Sequence, residues 1–221
     1  MYDTRSNLII GFHGTDKGTA EKLINQPNNI KLSEEPWDWL GHGFYFWENN
    51  EARALNWAKD RQRRKNLPES DAAVVGAVIQ LGYCCDLTDS RFTQLVRGFF
   101  LLMKDAYEKA DKPMPANKDS QDDEHKDRLM RVLDCAVIQY MHSTIEEAYF
   151  QECASKGYSS LKLFDSVRGV FTEGGLIYDG AGIYAKSHIQ LCIRNPNCIK
   201  GFFNPRTEVD FIKSLKDKAL A

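Results

Sequence analysis

The sequence predicts an α+β fold. Three observations carry that prediction. Apolar, β-branched runs bounded by glycine, asparagine and proline cluster toward the two ends of the chain. Segments of helical period fill the middle, from about Asp86 to Lys156. Strand and helix do not alternate regularly, as a doubly wound parallel sheet requires. With 221 residues, the chain reads as one domain over 1–221 carrying a helical insertion at about 86–156, since single domains run to about 100–200 residues.

The elements follow in order. SNLIIGFHG is an apolar run ending in glycine, read as a buried strand that delivers His13 to its end. Asp16 or Thr15 then caps KGTAEKLINQ, whose Ala20, Leu23 and Ile24 share a helical face, with Pro27 just past the end. SEEPWDWLGHG is a loop of turn formers containing Trp37 and Trp39. LGHGFYFW reads as a second strand, with Gly43, Tyr45 and Trp47 on one face and His42, Phe44 and Phe46 on the other. EARALNWAKDRQRRK is a helix capped by Asn49 or Asn50 and ending in a basic cluster. AAVVGAVIQLGYCC reads as one buried central strand. Helical spacing returns in FTQLVRGFFLLMKDAYEKA, KDRLMRVLDCAVIQYMH and TIEEAYFQECA. The polar stretch DKPMPANKDSQDDEHKD between them reads as a mobile surface loop. LKLF, VRGVF, LIY, HIQLCIR and CIKGFF read as further strands, and VDFIKSLKDKAL as a closing helix.

Composition excludes several classes of function. A formal charge of −2 gives no overall attraction to polyanions, so any nucleic-acid contact is a local patch. The first residues lack the pattern of a secretory signal, and no run approaches the ~18 apolar residues that span a bilayer. The expectation is a soluble, cytoplasmic protein. Cys84, Cys85, Cys135, Cys153, Cys192 and Cys198 show no metal or redox spacing and read as buried thiols, so no metal is expected. No pattern around Cys192 supports an activated thiol, although His13, His42 and His188 can cluster near it. Neither a G-x-G-x-x-G nor a G-x-x-x-x-G-K-[ST] phosphate loop is present.

What remains is a constellation at the amino-terminal end. In FHGT, a histidine ends a strand and the following glycine lets backbone approach a ligand closely. Alone, such a histidine is more often a satisfied core residue. GHGFYFWENNEARA adds glycines, an aromatic strand and a capped helix. Together these motifs resemble the ADP-ribosyltransferase superfamily, in its histidine–tyrosine–glutamate branch that includes the poly(ADP-ribose) polymerases and diphtheria-type toxins. The resemblance spans about Leu8–Ala58 and Val167–Phe203.

That resemblance implies a split β-sandwich and NAD⁺ as substrate. It implies that His13 binds the NAD ribose, that the Gly14 backbone clamps the nicotinamide amide, and that Tyr45 stacks on the nicotinamide ring. Thr15 and Gly43 fall in the same motifs. Trp57 adjoins Asn56, the position of the family's second stacking aromatic, and reads either as that aromatic or as part of the helix's buried face. The implied activity is transfer of a single ADP-ribose to a protein or nucleic-acid acceptor, in a toxin-like or defence role whose neutralising partner is unidentified.

The family's catalytic glutamate is replaced by Gln190. Alternation along HIQLCIR places His188, Gln190, Cys192 and Arg194 on one face. Glutamine keeps a hydrogen bond to the ribose and gives up the charge beside the developing cation, worth roughly 10² or more in rate. Glu173, Asp179 and Glu48 are substitute carboxylates, each with a solvated or capping alternative. Loss of catalysis leaves an NAD/ADP-ribose-binding module, and transfer to water makes an NAD⁺ glycohydrolase. Trp37 and Trp39 either cover the NAD⁺ site or join the core. Arg168, inside an apolar strand, must meet a carboxylate or a phosphate. The run Asp60 to Lys65 is a solvated helix end or, with a nucleic-acid acceptor, a source of phosphate contacts.

Overall fold

The computed structural model describes residues 4–5, 8–120, 124–207 and 209–212. Among them, eight strands form a mixed sheet beside four α-helices, an α+β arrangement. The strands are β1 (Thr4–Arg5), β2 (Ile9–Asp16), β3 (Phe44–Glu48), β4 (Ala72–Ile79), β5 (Gly82–Asp86), β6 (Ser166–Phe171), β7 (His188–Ile193) and β8 (Ile199–Phe203). Their spatial order is β1-β5-β6-β7-β3-β2-β4-β8. The helices are α1 (Lys17–Asn25), α2 (Glu51–Arg64), α3 (Ser90–Lys109) and α4 (Val132–Lys156).

β5 and β6 are parallel, while every other neighbouring pair is antiparallel. Parallel neighbours cannot be joined by a tight turn and need a crossover. The central helical stretch supplies it, since α3 and α4 both lie between β5 and β6 in the chain.

The helix starts follow their capping residues. Asp16 accepts from the Thr19 backbone N–H at 2.8 Å, and Asn50 accepts from that of Arg53 at 3.0 Å, each satisfying a donor the first turn leaves free. Asp89 does the same for α3. α4 ends at Gly157, whose φ of 79° suits the left-handed cap.

Both faces of the sheet are covered. On one, Phe44, Phe46, Val75, Leu191 and Ile193 pack with Ala20 and Leu23 of α1. On the other, Cys85, Val167 and Cys192 lie under Phe92 of α3 and Ile138 and Met141 of α4. Each fully buried leucine or isoleucine stabilises the fold by about 1.5–3 kcal/mol relative to an exposed one.

The structure departs from the sequence reading in five places. AAVVGAVIQLGYCC is two strands, broken where Gly82 takes φ +63° against the Asp165 carboxylate and Gln80 turns its N–H to the Cys198 carbonyl. KDRLMRVLDCAVIQYMH is helical only from Val132 and joins TIEEAYFQECA in the single helix α4, while Lys126 and Arg128 take positive φ before it. LKLF is not a strand: its Phe164 is buried by stacking on Tyr83, ring centroids 4.5 Å apart. LIY holds one isolated bridge, Leu176 to Tyr184. β2 runs three residues beyond His13, so His13 lies within the strand and not at its end. Most of VDFIKSLKDKAL lies outside the described residues.

Candidate functional site

β2 makes eight register pairs with β4 but two with β3, Gly11 to Glu48 and Phe12 to Trp47. Beyond Phe12 the strands part and the sheet forks. His13 is the first residue inside the fork. Its Nδ1 lies 2.8 Å from the Tyr45 carbonyl oxygen, filling the position a strand N–H would take. A carbonyl only accepts, so Nδ1 carries the proton and Nε2 presents a lone pair. Burial lowers the imidazole pKa to about 4, helped by Arg61 and opposed by the Tyr45 carbonyl and Asp16. His13 is therefore neutral at pH 7.

The histidine ring packs on Phe44 and Phe46, with centroids 4.4 and 6.0 Å away. Alternation sends these two phenylalanines to one face of β3 and Tyr45 to the other. The Tyr45 ring accordingly turns toward the turn at 40–42. Its hydroxyl donates to the Gly41 carbonyl at 2.8 Å and accepts from the Leu40 N–H at 3.0 Å. Burial, with Cys192 and Asp38 nearby, holds its pKa well above the usual phenol value. His13 and Tyr45 thus meet through imidazole and backbone, not ring to ring. Gly43 lies against Cys192 and the Ile193 carbonyl, where a Cβ would collide.

Gly14 faces α2. A Cβ there would run into the Ala54 carbonyl group, so glycine lets the helix cross directly on the strand. Thr15 is buried at the strand's end. Trp57 on α2 packs on Trp47, centroids 5.5 Å apart, and carries the Arg61 guanidinium over its ring. Asn56 is exposed beside it.

Gln190 sits on β7 in register with Trp47 on one side and Gly169 on the other, on the Tyr45 face. Its Oε1 accepts from the Trp39 indole N–H at 2.6 Å. Trp39 reaches it because residue 169 has no side chain: a Cβ there would lie 2.7 Å from the indole Cη2. Phe171 meets Trp39 edge-on, and Arg131 lies over the Phe171 ring. Trp37 is half-exposed.

The three candidate carboxylates have different fates. Glu48 is held by Arg168, which also grips Asp86, so the arginine inside the apolar strand meets carboxylates rather than phosphate. Asp179 is exposed. Glu173 is buried, ion-paired to Arg53 of α2, with its carboxylate 3.8 Å from His188 Nδ1. Burial also lowers the His188 pKa. Trp47 Nε1, Arg53 Nε and His188 Nε2, all in this neighbourhood, are buried without a hydrogen-bond partner. Arg53 escapes sequence reasoning because its partner, Glu173, is 120 positions along the chain, and no local pattern joins the two.

The thiol of Cys192 is pushed far up by burial and donates to the Gly41 carbonyl, which makes it an inert core group. Among the described residues, no three His, Cys, Asp or Glu side chains are grouped to hold a metal ion. No helix among them is long and apolar enough to cross a membrane.

The chain is similar to an uncharacterized archaeal protein. That relative is MJ0359 of Methanocaldococcus jannaschii, 27% identical over 203 residues, covering 86% of this chain and 83% of the relative. No family model matches the chain, and no solved structure matches it.

Proposed function

We propose that this protein is an NAD⁺-consuming ADP-ribosyltransferase that moves one ADP-ribose to a macromolecular acceptor. The observation that carries the reading is the fork between β2 and β3, with neutral His13 at its mouth; Gln190 lies one strand beyond β3 and on the opposite, Tyr45 face of the sheet. The Nε2 lone pair of His13 accepts from a ribose hydroxyl. The resemblance assigns the Gly14 backbone to the nicotinamide amide; in the fold Gly14 lies against the Ala54 carbonyl of α2.

In the reaction, the bond between nicotinamide and ribose C1′ breaks and its electron pair leaves with nicotinamide. The acceptor nucleophile bonds to C1′ and gives its proton to a base. Gln190 stabilises the ribose by hydrogen bonding alone, because a carboxamide carries no charge. Glu173 is the substitute carboxylate best supported by position: it is buried and beside His188, two residues from Gln190, although Arg53 holds it as Arg168 holds Glu48.

Incubation with NAD⁺ and measurement of free nicotinamide tests the reading. Release that falls at least tenfold in His13→Ala supports it. Binding of NAD⁺ with no release sinks the enzyme and leaves the non-catalytic binding module, a reading favoured by the use of Gln190 Oε1 to hold Trp39.

A further inference from the structure

Between α2 and the segment joining β6 to β7 runs a groove of about 190 Å³, lined by Arg53, Asn56, Lys59, Asp60, Arg63 and Lys186. Arg53, Asn56, Asp60 and Arg63 lie three, seven and ten residues along from the first, one stripe of a helix. Lys186 closes the groove from the other side, its stem packed on Gly174, where a Cβ would meet it at 2.7 Å. Four cations thus meet three carboxylates, Asp60 in the lining and Glu173 and Glu69 against it. Two of the four are neutralised: Arg53 by Glu173, and Arg63 by Asp60 and Glu69. Lys59 and Lys186 have no ion-pair partner among the described residues, and the buried Nε of Arg53 has no acceptor.

The segment from Glu173 to Lys186 is hairpin-like. Lys186 N–H donates to the Glu173 carbonyl, Ala185 to Gly175 and Ile177 to Ile183, and Ala181 to Tyr178 closes the tip. Leu176, Ile177, Tyr178 and Ile183 are exposed on it, with Tyr178 63% accessible. The groove lies at the base of this hairpin and the exposed tyrosine at its tip, so one strand running along the segment meets lysines for its phosphates and, farther on, a flat ring for a base. A protein of net charge −2 attracts a polyanion only through such a local patch.

We propose that this groove binds a phosphate of single-stranded nucleic acid, with Lys59, Lys186, Asn56 and Arg53 Nε–H as donors and Tyr178 as a base platform. As an acceptor, the strand rests on the transferase reading above; as a ligand, it does not. The phosphate has two possible strand sources, RNA and DNA, and each is an arm of the test.

The test measures fluorescence anisotropy of labelled single-stranded RNA and DNA 20-mers with the full chain between 50 and 200 mM salt, beside NAD⁺ binding followed by calorimetry. Expected is salt-dependent binding of at least one strand, weakened about tenfold in Lys59→Glu and in Lys186→Glu, each with a salt slope shallower by about one. Tyr178→Ala should weaken it at least about fivefold with the slope unchanged. NAD⁺ affinity should stay within about twofold in all three. Circular dichroism confirms that these surface variants fold. Absence of binding to either strand, or wild-type binding by both charge reversals, overturns the proposal. So does loss of NAD⁺ affinity with strand binding intact, which would give the groove to the dinucleotide. A protein that binds a strand here but releases no nicotinamide would sink the transferase reading and leave the groove standing.

Discussion

The Nδ1 of His13 lies 2.8 Å from the carbonyl oxygen of Tyr45, and this one hydrogen bond spans the fork where β2 and β3 separate. It fixes the tautomer, directs the ring onto Phe44 and Phe46, and satisfies a carbonyl that the sheet has abandoned. Removing the imidazole costs more than a side chain. His13→Ala should destabilise the fold by about 1–3 kcal/mol, because the Tyr45 carbonyl loses its partner. His13→Gln, able to donate from its amide, should recover part of that stability. Urea denaturation of the two variants checks this, and equal midpoints for wild type and His13→Ala would contradict it.

Acid should destabilise the protein through its buried histidines. Burial lowers His13 to about 4 and His142 to about 3, while unfolded histidines titrate near 6.5. The folded pKa lies below the unfolded one, so the unfolded chain binds more protons between the two values. The contribution is fully present above about pH 6.5 and is lost as pH falls toward 4, with a slope of about 1.4 kcal/mol per pH unit for each histidine. Denaturation midpoints at pH 7, 6, 5 and 4 measure it. A His142→Phe variant should show a shallower decline, and an unchanged profile would count against the buried neutral imidazole.

Gly14 sets how closely α2 can lie on β2. Gly14→Ala places a methyl against the Ala54 carbonyl group, with the carbonyl carbon 2.9 Å away, and backbone cannot yield as a flexible side chain does. Overpacking of this kind costs about 1–3 kcal/mol. The thermal midpoint of Gly14→Ala should therefore drop by several degrees, while Gly98→Ala, with open space around its Cβ, should match or exceed wild type.

Gln190 and Trp39 are 151 positions apart in the chain, yet their side chains are joined at 2.6 Å. Gln190→Glu keeps the acceptor for the indole and adds negative charge on the same face. If the protein cleaves NAD⁺, that charge should raise nicotinamide release by roughly 10², the electrostatic share that a carboxamide forgoes. Steady-state nicotinamide assays read the change in kcat. Faster release without a change in KM would place the group beside the reacting carbon, whereas no change in kcat would exclude Gln190 from that position.

The contacts most visible in the sequence are local ones. The caps Asp16 and Asn50, the alternation of Phe44 to Trp47 and the helical face of Ala20 and Leu23 follow from neighbours a few residues apart, and the structure has them. The break at Gly82 depends on Asp165, and the seat of Trp39 depends on Gly169; neither is encoded within a window of local period. The same holds for the candidate site. FHGT and GHGFYF mark a place of close backbone approach by their glycines, but the fork, and the faces on which His13 and Tyr45 fall, depend on β2 continuing to Asp16, which its pairing with β4 determines. The Arg53, Glu173 and His188 group needs α2 and the β6–β7 hairpin brought together, a tertiary fact with no local signature.

That group supports the last prediction. Arg53 and Glu173 are both largely buried, with side chains 13% and 10% exposed, and each is the other's charge partner. Glu173→Gln leaves the guanidinium buried without its anion and should cost about 3–5 kcal/mol. The paired change Arg53→Met with Glu173→Leu removes both charges and should cost far less. A double-mutant cycle in urea measures the coupling. The cycle also separates the two roles of Glu173. A purely structural carboxylate predicts that the stable double variant keeps nicotinamide release, whereas a carboxylate that takes the acceptor's proton predicts a stable fold without turnover. The release of nicotinamide by the double variant decides between them.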